Sequence, residues 1–141
     1  MILNKNTDYA IRVLGIMAND IEATYTAEGL SKALRIPHTF LRSIMQKLQK
    51  GGLLTSTKGK GGGFKLAKMP AEIVLLDVVN IFQGGVSLRR CTYKGRHCAR
   101  EHYCIVKAEF EKYEEYIATN LKGVTIQKLS EEDARHMMES H

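Results

Sequence analysis

Residues 26–67 constrain the fold more than any other stretch of this chain. Two short runs at helical spacing, Leu30, Ala33 and Leu34, then Leu41, Ile44, Met45 and Leu48, are separated by Ile36-Pro37. Proline fixes its own φ and disfavours helix at the residue before it, so the break is a tight turn between two helices. Gly51-Gly52 ends the second helix. Leu53 to Thr57, then Lys58-Gly59-Lys60-Gly61-Gly62-Gly63, then Phe64 to Ala67 read as strand, glycine turn, strand. Two short helices with a hairpin directly after the second describe a winged helix-turn-helix.

The flanking segments read as helical. Asn6 or Thr7 is expected to cap a first helix carrying Asp8 in its first turn and Tyr9, Ala10, Val13, Leu14 and Met17 on its apolar face. Thr26 is expected to cap the second. After Pro70 a helix is expected over 74–82, closing at Gly84-Gly85. A cysteine-bearing loop over 86–104 follows, then a long helix over 104–122. Val106, Phe110, Tyr113, Ile117 and Leu121 make one stripe along it, a candidate dimerisation seam. Packing against its own domain is the alternative. Residues 124–129 are expected to pack back as a short helix or strand, and the polar tail from Ser130 to fray. The fold class is mainly α with a small β-hairpin wing. It divides into a winged helix-turn-helix over 1–70 and a linker helix, cysteine loop, dimerisation helix and tail over 71–141.

Charge is concentrated in the first part. Residues 1–70 hold 11 Lys/Arg against 4 Asp/Glu, whereas 71–141 hold 10 against 11. Between Glu28 and Glu72 there is no acidic residue but nine Lys/Arg. Such a stretch is the footprint of a polyanion binder, and with the motif it points to double-stranded DNA. The second helix of the motif enters the major groove, which assigns base reading to His38, Thr39, Arg42 and Ser43, with Gln46 and Lys47 one turn on. Arg42 suits bidentate recognition of guanine. Lys58 and Lys60 on the wing suit the backbone or minor groove, and Gly61 and Gly62 allow close approach.

The only cysteines, Cys91, Cys98 and Cys104, are spaced C-x6-C-x5-C. An odd, clustered set without a leading signal segment argues against a disulfide framework. Arg89, Arg90, Lys94, Arg96 and Arg100 surround them and favour thiolate, which suits a metal centre or a redox switch. Three thiolates are one ligand short for tetrahedral zinc or an iron–sulfur cluster. Candidates for the fourth are His97, His102 and Asp8. No apolar run reaches the ~20 residues needed to span a bilayer, so a cytoplasmic protein without a membrane partner is expected. No nucleophile triad or phosphate-cradling loop is evident, so an enzyme, including a small metalloenzyme, is disfavoured.

The start Leu3-Asn4-Lys5-Asn6-Thr7-Asp8-Tyr9-Ala10, the run Leu41 to Leu48 ending in Gly52-Leu53, the wing Lys58 to Leu66, the segment Leu76-Asp77-Val78-Val79 and the three cysteines together resemble the Rrf-two family of bacterial transcription regulators. The resemblance covers about 1–129, and the pattern is most similar to the NsrR-like, nitric-oxide-sensing members. It implies a homodimeric winged-helix repressor with an iron–sulfur cluster on Cys91, Cys98 and Cys104; a 4Fe-4S cluster is favoured and 2Fe-2S is possible, with zinc the alternative reading of the thiols. NsrR-like members complete the cluster with an aspartate, within a Thr-Asp motif, from the partner subunit, and Thr7-Asp8 matches that motif. IscR-like members use a histidine shortly after the last cysteine, where this chain has Ile105-Val106-Lys107-Ala108.

Overall fold

The computed structural model describes residues 2–91, 98–100 and 103–140. The chain forms α1 (Lys5–Met17), α2 (Ala27–Leu34), α3 (His38–Lys50), β1 (Leu54–Thr57), β2 (Gly63–Leu66), a single 3₁₀ turn (Pro70–Glu72), α4 (Leu75–Gln83), α5 (Ile105–Lys122) and α6 (Ile126–Glu139). α1 is the central element. Its Ala10, Val13, Leu14 and Met17 are fully buried, and it packs against α2, α3, α4 and α6. The same core takes in Leu41, Ile44, Met45 and Leu48 of α3, Ile73, Val78 and Ile126. Residues on both sides of position 70 therefore share one apolar interior.

α1 begins earlier than its pattern suggests. Asn4, not Asn6 or Thr7, is the cap: its Oδ1 accepts the Thr7 N–H at 2.8 Å. Thr7 is instead buried inside the first turn. Its hydroxyl lies 2.8 Å from both Asn4 Oδ1 and Gln83 Oε1, so one proton is shared between two acceptors.

In the turn between α2 and α3, Arg35 adopts a left-handed φ of 55°, and its neighbour Ile36 is buried. Ser31 Oγ donates to Ile36 O at 2.5 Å and closes the turn. The wing pairs antiparallel, Leu54 with Leu66 and Thr57 with Gly63. It has a third member that the hairpin pattern does not announce. Tyr25 N–H donates to Phe64 O at 2.8 Å, and Phe64 N–H donates back to Tyr25 O at 2.7 Å. The run Thr24-Tyr25-Thr26 is β-branched and aromatic, which is the signal that could have revealed it.

The C-terminal residues pack back as expected over 124–129 and correct the expectation for the tail. Val124 and Thr125 pair with the chain ahead of α4: Leu75 N–H donates to Val124 O and Ile126 N–H to Ile73 O, both at 2.9 Å. From there α6 continues through Glu139, so the segment expected to fray from Ser130 is helical. Thr125 caps it by accepting from Lys128 N–H, Ile126 and Leu129 anchor it to the core, and Ser130 Oγ donates to Asn19 Oδ1. α4 starts at Leu75, where Asp77 Oδ2 accepts the Val74 N–H at 3.0 Å.

Candidate nucleic-acid interface and cysteine segment

α3 presents a clean two-sided pattern. Leu41, Ile44, Met45 and Leu48 are buried, and His38, Thr39, Arg42, Ser43 and Gln46 are exposed on the opposite face. The four buried side chains hold the helix by one stripe and leave the other free to enter a groove. Among the described residues Arg42, Lys58 and Lys60 carry no ion pair, so their charge is uncompensated. The N-terminus of α3 has no side-chain cap, because Pro37 precedes His38. Its unpaired N–H groups favour an incoming anion.

The wing is fixed to this helix. Gln49 Nε2 donates to Ser56 Oγ at 2.8 Å, linking the last turn of α3 to β1, while the Tyr25–Phe64 pair holds β2 from the other side. Lys58 and Lys60 therefore project from an anchored hairpin, and Gly61 is exposed beside them at φ +75°. Gly62 has an internal reason to be glycine. A Cβ there would run into the backbone carbonyls of Thr57 and Gly59. Gly62→Ala is expected to open the turn and destabilise the fold by about 1–3 kcal/mol, read by thermal melting. An unchanged melting temperature would show that the turn adapts freely.

Lys47 departs from a simple DNA-facing role. Its ammonium sits 5.1 Å from the ring centroid of Phe82 on α4. Two further residues escape the sequence pattern. Phe40 in the first turn of α3 is half exposed, and Lys5 of α1 lies 5.9 Å from its ring and 5.5 Å from that of Tyr9. A cation and an aromatic far apart in sequence give no periodic signal.

Cys91 is exposed, and Cys98 and Cys104 are half-buried thiols. Cys98 Sγ accepts the Arg100 N–H, and Cys104 Sγ accepts the Lys107 N–H, each at 3.4 Å. Cys104 is thus the N-cap of α5. Soft thiols already receiving backbone N–H bonds are a donor set that suits an iron–sulfur cluster or zinc. The described residues contain no group of three or more His, Cys, Asp and Glu placed to share a metal. His97 and His102 lie outside the described residues. Asp8 is partly exposed on the first turn of α1, where its Oδ2 pairs with Arg12 Nε at 3.1 Å.

No residue of α5 is fully buried. The stripe divides along its length. Ile117 and Leu121 are half-buried, α5 packs with α4, and Leu88 N–H donates to Glu114 Oε1 at 2.8 Å. Val106 and Tyr113 are 50% exposed and Phe110 39%, with Phe110 and Tyr113 edge-to-face at 6.0 Å. Hydrogen bonds from Lys112 and Tyr113 hold the Glu109 carboxyl below the usual carboxylate range.

A helix pair with an outward basic face, followed by an anchored glycine-tipped wing, defines the class of winged-helix DNA-binding proteins. The chain belongs to the Rrf2 family, whose model, described as an iron-dependent transcriptional regulator, matches residues 3–132. Its members are transcriptional regulators, not enzymes. An HTH-type transcriptional regulator of Aquifex aeolicus is 30% identical, over 97% of this chain and 96% of its own. The HTH-type transcriptional regulator NsrR of Geobacillus kaustophilus is 32% identical, over 95% and 92%. Among solved structures, CymR, the global cysteine regulator of B. subtilis, superposes with a TM-score of 0.76 at 17% identity, covering 93% of this chain and 97% of that one. IscR of T. potens does so with a TM-score of 0.74 at 19% identity, covering 94% and 88%. These likenesses establish the winged-helix fold with its C-terminal helices. No helix among the described residues is long and apolar enough to cross a membrane.

Proposed function

We propose that the chain is a homodimeric, cytoplasmic repressor whose operator affinity is set by an iron–sulfur cluster. Cys91, Cys98 and Cys104 hold the cluster, and Asp8 of the partner subunit is the fourth ligand. The observation that carries this reading is the position of Cys104. Its sulfur caps α5, the helix whose upper half exposes Val106, Phe110 and Tyr113. A ligand at that point joins the cysteine segment to the surface on which two copies would meet. When bound, the cluster supplies a centre that nitric oxide, oxygen or iron shortage can alter; 4Fe-4S is favoured and a signal of the NsrR type preferred. The chain's own residues do the rest. Arg42, with His38, Thr39 and Ser43, reads bases, Gln46 and Lys47 flank them, and Lys58 and Lys60, beside Gly61 and Gly62, track phosphates.

Anaerobic purification followed by visible absorption and iron, sulfide and zinc analysis tests the cofactor. Absorption from a cluster that bleaches with nitric oxide while operator affinity falls is the expected result. Zinc without iron would assign the site to zinc. A colourless, metal-free protein after reconstitution with iron and sulfide would leave a thiol switch.

The DNA face has its own test. Arg42→Ala is expected to cost about 1–3 kcal/mol on the operator and to relax base preference. Lys60→Ala is expected to weaken binding on all sequences alike and to reduce the salt slope by about 1. Anisotropy titrations on operator and scrambled duplexes at several salt concentrations check both, and uniform losses for both variants would contradict the division.

A further inference from the structure

The last turn of α4 touches three things at once, through three consecutive side chains. Ile81 lies over Gly51, the C-cap of α3, so closely that a Cβ at Gly51 would collide with it. Phe82 faces the ammonium of Lys47, also on α3, at 5.1 Å. Gln83 holds the start of α1: its Oε1 accepts from Asn4 N–H at 3.0 Å and shares the Thr7 hydroxyl proton at 2.8 Å, and its Nε2 donates to Ile2 O at 3.2 Å. Successive helical residues step round the axis by about 100°, so these contacts spread over more than half the circumference. The turn is therefore gripped between the reading helix and the start of α1.

Beyond this turn the chain is held at two further points. Gly84 caps α4 in the left-handed conformation at φ +71°. Leu88 is then tied to Glu114 of α5 by its N–H, and Cys91 comes three residues later. The chain thus runs directly from a point that grips α1 and α3 to α5 and the first cysteine. Thr7, the residue Gln83 holds, is adjacent to Asp8.

We propose that the last turn of α4 couples the cysteine segment to the DNA-reading head, with Phe82 and Gln83 as its positioning residues. Phe82 sets the recognition helix through Lys47. Gln83 sets the first turn of α1 and with it the carboxylate of Asp8. A displacement at Cys91, carried along residues 84–91, moves both through one element, which is what linkage between two sites requires. This inference rests on the cysteine segment being the sensing site.

The experiment uses the full chain, wild type beside Gln83→Ala and Phe82→Leu, with melting curves to verify that each folds. In the metal-free proteins, amide hydrogen exchange reads the first turn of α1. Gln83→Ala is expected to speed exchange at Thr7 and Asp8 about tenfold, as loss of a shared hydrogen-bond partner implies. In the same proteins reconstituted with iron and sulfide, operator affinity is compared with that of the metal-free form. Phe82→Leu is expected to retain the wild-type visible spectrum but shrink the loaded-to-free affinity ratio at least about fivefold, the lower end of ordinary coupling. Gln83→Ala is expected to shorten the lifetime of the visible absorption. A wild type that carries a normal cluster, with variants unchanged in exchange, lifetime and affinity ratio, would overturn the coupling alone. A wild type that takes up no iron and sulfide overturns the cluster reading and the coupling with it.

Discussion

Phe110→Glu combined with Tyr113→Glu gives a folded monomer whose operator affinity is about 10²- to 10³-fold below wild type. Both rings stand on the exposed half of the α5 stripe, so the substitutions remove no packing from the core. Exposed positions without buried partners usually tolerate substitution within about 0.5 kcal/mol, which leaves the fold intact. In the proposed dimer the same positions would lie in the apolar centre of the contact. Two carboxylates per subunit would then be desolvated without partners, beside the carboxylate of Glu109, and the assembly cannot meet that cost. Each half-operator is then bound singly, and the gain from two linked reading heads is lost. Sedimentation equilibrium gives the oligomeric state and anisotropy the affinity. A double variant that stays dimeric and binds as tightly as wild type would remove α5 from the interface.

Cys104→Ala and Cys104→Ser both abolish the visible absorption, but only the alanine variant loosens α5. Cys104 has two separable roles. Its sulfur accepts the Lys107 N–H at 3.4 Å and so caps the helix, and its thiolate is a proposed ligand. Serine restores an N-cap acceptor, whereas alanine leaves that N–H unpaired at a cost of about 1 kcal/mol. Neither residue supplies a soft sulfur ligand. Iron and sulfide content after anaerobic reconstitution, beside helix content by circular dichroism, separates the two roles. A serine variant that retains a stoichiometric cluster would show that Cys104 serves only as a cap.

Much of the reading head is legible in the sequence because it is local. The Ile36-Pro37 break, the stripe of Leu41, Ile44, Met45 and Leu48, and the glycine turn each arise from backbone sterics or from a period of 3.6 or 2. Thr26 as the cap of α2 and Gly51 as the end of α3 rest on the same chemistry. The start of α1 is misplaced in sequence, at Asn6 or Thr7, because both are residue types that cap helices. Only the burial of Thr7 against Gln83, 76 positions away, selects Asn4. α6 resembles a frayed tail in sequence because Ser130 to Glu139 is mostly polar, with only Ala134, Met137 and Met138 apolar. Its helix rests on the Thr125 cap and on two anchors, Ile126 and Leu129, that reach the core through the tertiary fold.

The cysteine segment shows the same division. That three thiols lie together in one basic stretch is written in spacing and composition. Which face of α5 stays unpartnered is decided by how α4 and α5 pack, whereas the Cys104 cap is a local contact with the N–H three residues on. The winged helix-turn-helix, its basic face and the family are all written in the order of residues, because they depend on neighbours within a few positions and on summed charge. That Lys47 rests on Phe82, that Tyr25 joins the wing and that Gln83 grips the start of α1 come from the packed fold alone. Those contacts join residues about 35 to 80 positions apart, and no local propensity or periodicity records a pairing that exists only once the core has closed.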